Sequence, residues 1–493
     1  MIALLPLDDR PCNFRFPQQI AAIGGDQIVV PPIDFLGRFN TPGRPTALGR
    51  WIERLPEVSA LIVSVDMLAY GGLVASRKPS VNVEEALERL EVLRAWRRDR
   101  PKVPIYAFNI LMRLAITMDG DEAVANYYNV MRFARLSDEA ERFDSDYLRT
   151  ERDKVKAQIP ERVLDEYLRA RARNHAVNTR MIEWLGEGVF DYLLITQEDA
   201  SEFGLHRQEQ DRLLSRVAEL NVESKMSLHP GADEASLTLL ARDWNTDVSF
   251  RVHASNADDM KRIAPFEDRP YEQALAQHVA AMRGQIVEAE DADFHLFVNA
   301  PVGGSQKDES EELRAERLTR LQPFIETLIE YSNDANRRVA LCDVAFPNGA
   351  DNLLMTQLEE RGVLGRLTCF GGWNTAGNTT GTLLSQCAAL QRGLWRGEDN
   401  RKLNRDFTFE RLVDDWFYQS QVRARIERAA REQGIVPHNM GDSGALVESQ
   451  ARRELKGFAQ LLAKRHFDAA IRSSEITLPW NRAFEADVRV ELV

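Results

Sequence analysis

Carboxylate, amide and guanidinium side chains recur directly behind short apolar runs of this chain. LPLDDRP sets Asp8, Asp9 and Arg10 after the first run; the third is followed by Asp66, then by Tyr70-Gly71-Gly72, Ser76 and Arg77. The fourth run leads into Asn109 and Arg113, the fifth into Gln197-Glu198-Asp199-Ala200-Ser201, and the sixth into His229-Pro230-Gly231-Ala232-Asp233-Glu234. Later runs end in Asn299, in Asp343 with Asn348 and Asp351 behind it, and in GGWNTAGN, which carries Trp373, Asn374 and Asn378. Parallel α/β proteins bind ligands at the carboxyl ends of their strands, where the connecting loops converge. Helix capping explains one or two such loops, but not this recurrence.

Each group has a chemistry it would perform and a plainer role. Asp233 suits a helix N-cap and Glu234 the first turn behind it. As a working pair they take opposite parts: Glu234 the general acid, its pKa raised by burial, and Asp233 a charged group that orients substrate. Asp199 is the further candidate nucleophile or base. Three acceptors in a row at residues 197–199, directly after a buried strand, need a ligand or basic partners, and Arg77 and Arg113 are the partners at hand. Asp8 and Asp9 point in alternate directions, so one of them faces a cleft, and Arg10 can neutralise either. His229 supports the site or is a turn residue. Trp373 offers a flat apolar face for a sugar ring, and Asn374 and Asn378 offer donors and acceptors for hydroxyls. On residues 173–178, His175 and Asn178 share a helix face that reaches a cleft only if that helix folds over the strand ends.

No paired-histidine or paired-cysteine spacing, G-x-G-x-x-G, P-loop or G-x-S-x-G elbow occurs, so neither a zinc site nor a cofactor is expected; the glycine-rich turn at 371–382 can still take a phosphate or carboxylate on its backbone N–H groups. Oxygen-rich strand ends admit magnesium or calcium without demanding either. Cys12 reads as a buried, inert thiol.

The elements that position these groups follow from the apolar runs themselves. Residues 2–7, 27–30, 60–65, 104–108, 192–196, 225–228, 248–252, 294–298, 338–342 and 366–370 are bare hydrophobic stretches without alternation, the mark of strands buried on both faces. Amphipathic helices such as 83–98 lie between them. The class is therefore α/β with parallel sheets, arranged either as a barrel with extra strands or as two doubly wound sheets in tandem. Residues 120–187 read as a helical insertion, with helices over 139–152 and 161–185. The organisation expected is a main β/α domain over 1–285, a second β/α portion over 286–394 completing the site, and a mainly helical region over 395–493. The boundary is placed near 284–290.

The chain has 493 residues, 44% of them hydrophobic and 28% charged, which is globular composition. Its net charge of −13 argues against nucleic acid or an anionic membrane as partner. No run reaches membrane-spanning length. The first residues lack a basic segment of the signal-peptide kind, and the four cysteines, at 12, 342, 369 and 387, are unpaired in spacing. A reducing, cytoplasmic setting is expected; oligomeric state is not readable.

LPLDDRP, TQEDAS, HPGADE, DVAFPNGAD and GGWNTAGNT together resemble a bacterial family catalogued as domain of unknown function 4127. The resemblance covers most of the chain and implies a shared fold without an activity. Locally, HPGADE is similar to the H-x-G-G-D-E signature of the family 20 β-N-acetylhexosaminidases, which are (β/α)8 barrels. It implies that Asp233 orients the substrate's acetamido group, Glu234 is the acid/base and His229 supports them; Ala232 stands where that signature has its second glycine. The expected function is hydrolysis of a glycosidic bond in a small carbohydrate, such as an N-acetylhexosaminide. Its rivals are a metal-assisted hydrolase or sugar-phosphate isomerase built on the same carboxylates, and a non-catalytic cytoplasmic sugar-binding protein.

Overall fold

Branched and aromatic runs form the strands, and most central ones are buried along their whole length. The computed structural model describes residues 1–118, 120–304, 306 and 309–493. The chain divides into two units. The first is Met1–Pro17, Asp26–Asp243 and Phe266–Arg269; the second is Gln18–Gly25, Trp244–Pro265 and Pro270–Val493.

In the first unit β1 (Ile2–Leu5), β2 (Ile28–Val29), β3 (Ala60–Ser64), β4 (Ile105–Leu111), β5 (Tyr192–Gln197) and β6 (Met226–Pro230) form a parallel sheet in the order 2-1-3-4-5-6. Register is continuous, with Ile2 opposite Ala60, Leu61 opposite Ile105, Tyr106 opposite Tyr192 and Leu193 opposite Met226. In the second unit β7 (Ser249–Ala254), β8 (Gln285–Ile286), β9 (Phe294–Asn299), β10 (Val339–Asp343) and β11 (Cys369–Gly371) pair in parallel in the order 11-10-9-7-8. The expected parallel α/β class is what the structure has, and its strands lie in two separate sheets of six and five. Residues 284–290, read as a boundary, carry β8 within the second unit.

The helix Val83–Asp99 shows how the covers are built. The Asn82 side chain accepts from the Glu85 N–H at 2.8 Å, capping the first turn, and Arg97 and Arg98 close the last. Its apolar face buries Ala86, Leu90, Leu93 and Trp96 in the same cluster as Leu61, Val63 and Leu193 of the sheet. Each such large side chain contributes about 1.5–3 kcal/mol.

The insertion is helical, as expected, but as Asp121–Arg142, Asp146–Lys156 and Glu161–Gly186. A single helix over 139–152 does not form. Asp144 turns left-handed at φ 45°, and the Ser145 hydroxyl accepts from the Leu148 N–H, so turn and cap chemistry override the helical pattern. Beyond 395 the helices Arg401–Arg411 and Arg423–Glu432 are joined by a π-helix, Leu412–Val422; the helix Gly444–His466 and an antiparallel hairpin of β12 (Ile471–Thr477) and β13 (Asp487–Leu492) follow. This region shares one core with the second sheet, where Phe297, Leu341 and Phe370 join Trp416, Leu455 and Val488. Among the described residues no helix is long and apolar enough to cross a membrane.

Candidate functional site

In the first sheet the strand order reverses at β1, so the loops leaving β1 and β3 flank the point where open α/β sheets take ligands. Asp8, Asp9 and Arg10 follow β1; Asp66 follows β3, on a short helix capped by the Ser64 hydroxyl (Met67 N–H, 3.1 Å) and ended by Gly71 at φ 94°.

Arg10 is held between two carboxylates. Its Nε and Nη2 donate to Asp8 Oδ2 at 3.0 and 2.7 Å, and its Nη1 and Nη2 donate to Asp233 Oδ2 and Oδ1 at 3.1 and 2.5 Å. Asn13 Nδ2 donates to both acids, at 2.9 Å to Asp8 and 3.1 Å to Asp233. All four residues are buried. The guanidinium fills the gap that a cation would occupy between the two acids, and planar, bidentate pairing of this kind fixes geometry as well as charge. It also ties the loop after β6 to the loop after β1, four places away in the sheet.

Glu234, next to Asp233, is in a different state. It is 0% exposed; its Oε2 accepts from the Ala232 N–H at 2.8 Å, and its Oε1 has no hydrogen-bond partner among the described residues. Burial pushes its pKa up to about 8; backbone N–H groups oppose the rise and the charge on Asp233 adds to it. At neutral pH Glu234 therefore keeps its proton while its neighbour is ion-paired. The loop permits this only because residue 231 is glycine: φ there is 128°, and a Cβ would lie 1.9 Å from Glu234 Oε1. His229 has Nδ1 3.0 Å from the Pro230 carbonyl, and burial lowers its pKa to about 4, so its ring is neutral.

Further along the strand ends, Asp66 accepts from the Ile110 N–H at 2.8 Å, and burial raises its pKa to about 7. Asn109 donates to Asn178 at 2.9 Å, leaving its own Oδ1 without a partner among the described residues. The expected basic partners of residues 197–199 are in place: Arg77 pairs with Glu198 and donates to Thr117 at 3.0 Å, and Arg113 pairs with Asp199 at 2.6 Å. Burial presses the Arg77 pKa down; Glu198 opposes this, and Arg113 and Arg10 add repulsion. These charges therefore form one field over the first sheet. The 173–178 face serves the scaffold: Arg173 and Asn174 donate to the Ser76 carbonyl, and Asn178 holds Asn109.

The remaining sequence candidates belong to the second unit. Asn299 donates to Asp343 at 3.0 Å and Asp351 at 3.3 Å; Asp343 accepts from the Asp351 N–H at 2.8 Å; Asp351 caps the helix Asn352–Glu360 and pairs with Arg317. Burial, then the charge on Asp351, pushes the Asp343 pKa up. Asn348 and Asn374, both left-handed, are joined by an N–H···O=C bond of 2.8 Å. Trp373 is 3% exposed and Asn378 is buried, its N–H directed at the Thr375 hydroxyl. Asp415 of the π-helix accepts from the Gly372 N–H at 3.1 Å, bracing the loop. Asn13, Arg317 and Asp415 escaped the sequence reading. Asn13 stands five residues from Asp8 in a helical first turn, a usable signal; the contacts of Arg317 with Asp351 and of Asp415 with Gly372 leave none, since they span 34 and 43 residues.

A family described as a protein of unknown function, DUF4127, matches residues 2–489. The chain belongs to that family. No curated protein matches it, and no solved structure does. The arrangement over the first sheet offers a protonated carboxyl, an adjacent ion-paired carboxylate and several buried polar groups of both donor and acceptor kind.

Proposed function

We propose that this DUF4127 chain hydrolyses a glycosidic bond in a small carbohydrate, with an N-acetylhexosaminide as the specific candidate. The observation that carries the reading is the divided state of adjacent acids: Glu234 retains a proton up to about pH 8, while Asp233 is locked against Arg10 and Asn13. A carboxyl that keeps its proton beside a carboxylate held by a guanidinium suits acid-catalysed cleavage of a glycoside. Glu234 would protonate the leaving oxygen. Asp233 would orient the substrate's own acetamido group, or Asp199 would serve as nucleophile or base. Asp8, Asp9, Asp66, Arg77 and Asn109 supply groups suited to sugar hydroxyls. Because Glu234 is wholly buried, the 231–234 loop must open for the proton to reach a substrate, and Gly231 is its flexible point. The four cysteines are buried free thiols, which supports a reducing, cytoplasmic setting.

The test is release of reducing sugar from a panel of disaccharides and methyl glycosides, N-acetylglucosaminides included, whose leaving alcohols need a proton, by the wild type and Glu234→Gln. Loss of about 10²–10⁴ in kcat is expected. A loss below about tenfold removes Glu234 from the acid role. Stabilisation by sugars with no turnover on any of these glycosides would leave a binding protein in place of an enzyme.

A further inference from the structure

A cleft of about 360 Å³ in the first unit lies between the helix Asp121–Arg142 and the loops that follow β4 and β5. That volume matches the lower range of small-molecule sites, about 300–1,000 Å³. Its walls combine two features. Tyr127 and Tyr128 stand edge to face at 5.2 Å, Tyr128 being 73% exposed, and Phe266 is also exposed. Arg113, Arg132 and Arg135 face the same space, and Asp199 is the one acid among the described lining residues.

The charges are not used up by their neighbours. Arg132 and Arg135 have side chains 55% exposed, with Glu151 and Glu139 at 3.5 and 3.4 Å. Such long, solvated pairs hold little energy, so a ligand anion displaces them at small cost. Arg113 is fixed from both sides, by Asp199 at 2.6 Å and the Tyr127 hydroxyl at 3.1 Å. The backbone supplies an independent sign. Asp199 and Phe266 both adopt left-handed φ, 38° and 68°, and the Ala200 N–H donates to the Phe266 carbonyl at 2.8 Å. Strained non-glycine residues persist where surrounding structure over-determines them, and they concentrate at ligand clamps. Here two of them, from segments far apart in sequence, are tied together on the wall of one cleft.

We infer that this cleft binds a saccharide bearing a carboxylate or phosphate, its ring against Tyr127 and Tyr128 and its anionic group between Arg132 and Arg135. Aromatic faces alone accept any sugar; the surplus of guanidinium groups selects a charged one. The inference rests on the proposed glycosidase reading only for the ligand being a sugar.

Isothermal titration of the full chain with glucuronate, glucose 6-phosphate and glucose tests it, in the wild type and in Arg132→Ala/Arg135→Ala. Both arginines are exposed, so the double variant should keep the wild-type melting temperature; its binding loss then reports the site. One charged sugar should bind about tenfold or more above glucose, and the double variant should lose about ten- to a hundredfold for it. Preference between the two charged probes tells carboxylate from phosphate. Glucose binding as tightly as the charged probes, no binding of any probe, or an unchanged affinity in the double variant each overturns the inference. Repeating the titration with Glu234→Gln separates this result from the catalytic one: binding should survive there whether or not Glu234 is the acid.

Discussion

Replacing Glu234 by Gln should make the protein more resistant to alkaline pH. The sign follows from where the proton sits. The Glu234 pKa rises from an ordinary 4.5 to about 8 in the folded chain, so between those values the folded state holds a proton that the unfolded state has released. Stability is then fully present below pH 4.5 and drains away as pH climbs to about 8, by about 1.4 kcal/mol for each pH unit. Over the whole interval the loss approaches about 5 kcal/mol, a large share of a protein's typical 5–15 kcal/mol. Gln fills nearly the same volume and carries no titrating proton, so the variant escapes this loss. Urea unfolding of both proteins at steps from pH 4.5 to 9 supplies the assay. The difference curve, variant minus wild type, should rise toward alkaline pH and level off above about 8. A flat difference curve would overturn this assignment, because it would mean that Glu234 ionises in the folded chain as it does in water; one that falls with pH would overturn it too, because Glu234 would then ionise more readily than in water.

Two further perturbations act on the same loop. Arg10→Met leaves Asp8 and Asp233 facing each other in a buried site without their cation, and a loss of about 3–5 kcal/mol is expected in urea unfolding at pH 7. Gly231→Ala sets a methyl 1.9 Å from Glu234 Oε1 at a φ of 128°, which should cost about 1–3 kcal/mol and displace the carboxyl; an unchanged melting temperature would show that the loop has another resting conformation.

The strands were legible because burial on both faces leaves a sequence mark: a run such as ALIVS at 60–64 has no solvent-facing side to alternate with. Two residues at 285–286 are too few to carry that mark, and IRSSEIT at 471–477, with a largely solvent-facing burial pattern, offers none beside a charged helix. The break at Asp144-Ser145 was written in cap residues that the surrounding helical pattern outweighed. At the site, Gln197-Glu198-Asp199 could be seen to need a ligand or basic partners, and Arg77 and Arg113 are there as partners, since a charge half out of water is costly without one. The Arg10–Asp233 bridge was not readable, since it joins residues 223 positions apart through the shape of a sheet.

The protonation of Glu234 is measured most directly by carbon NMR of side-chain carboxyls in uniformly labelled protein, with Glu234 assigned by its disappearance in Glu234→Gln. The Glu234 carboxyl should keep the protonated shift at pH 7 and titrate near 8. A Glu234 signal that moves near pH 4.5 would contradict the account.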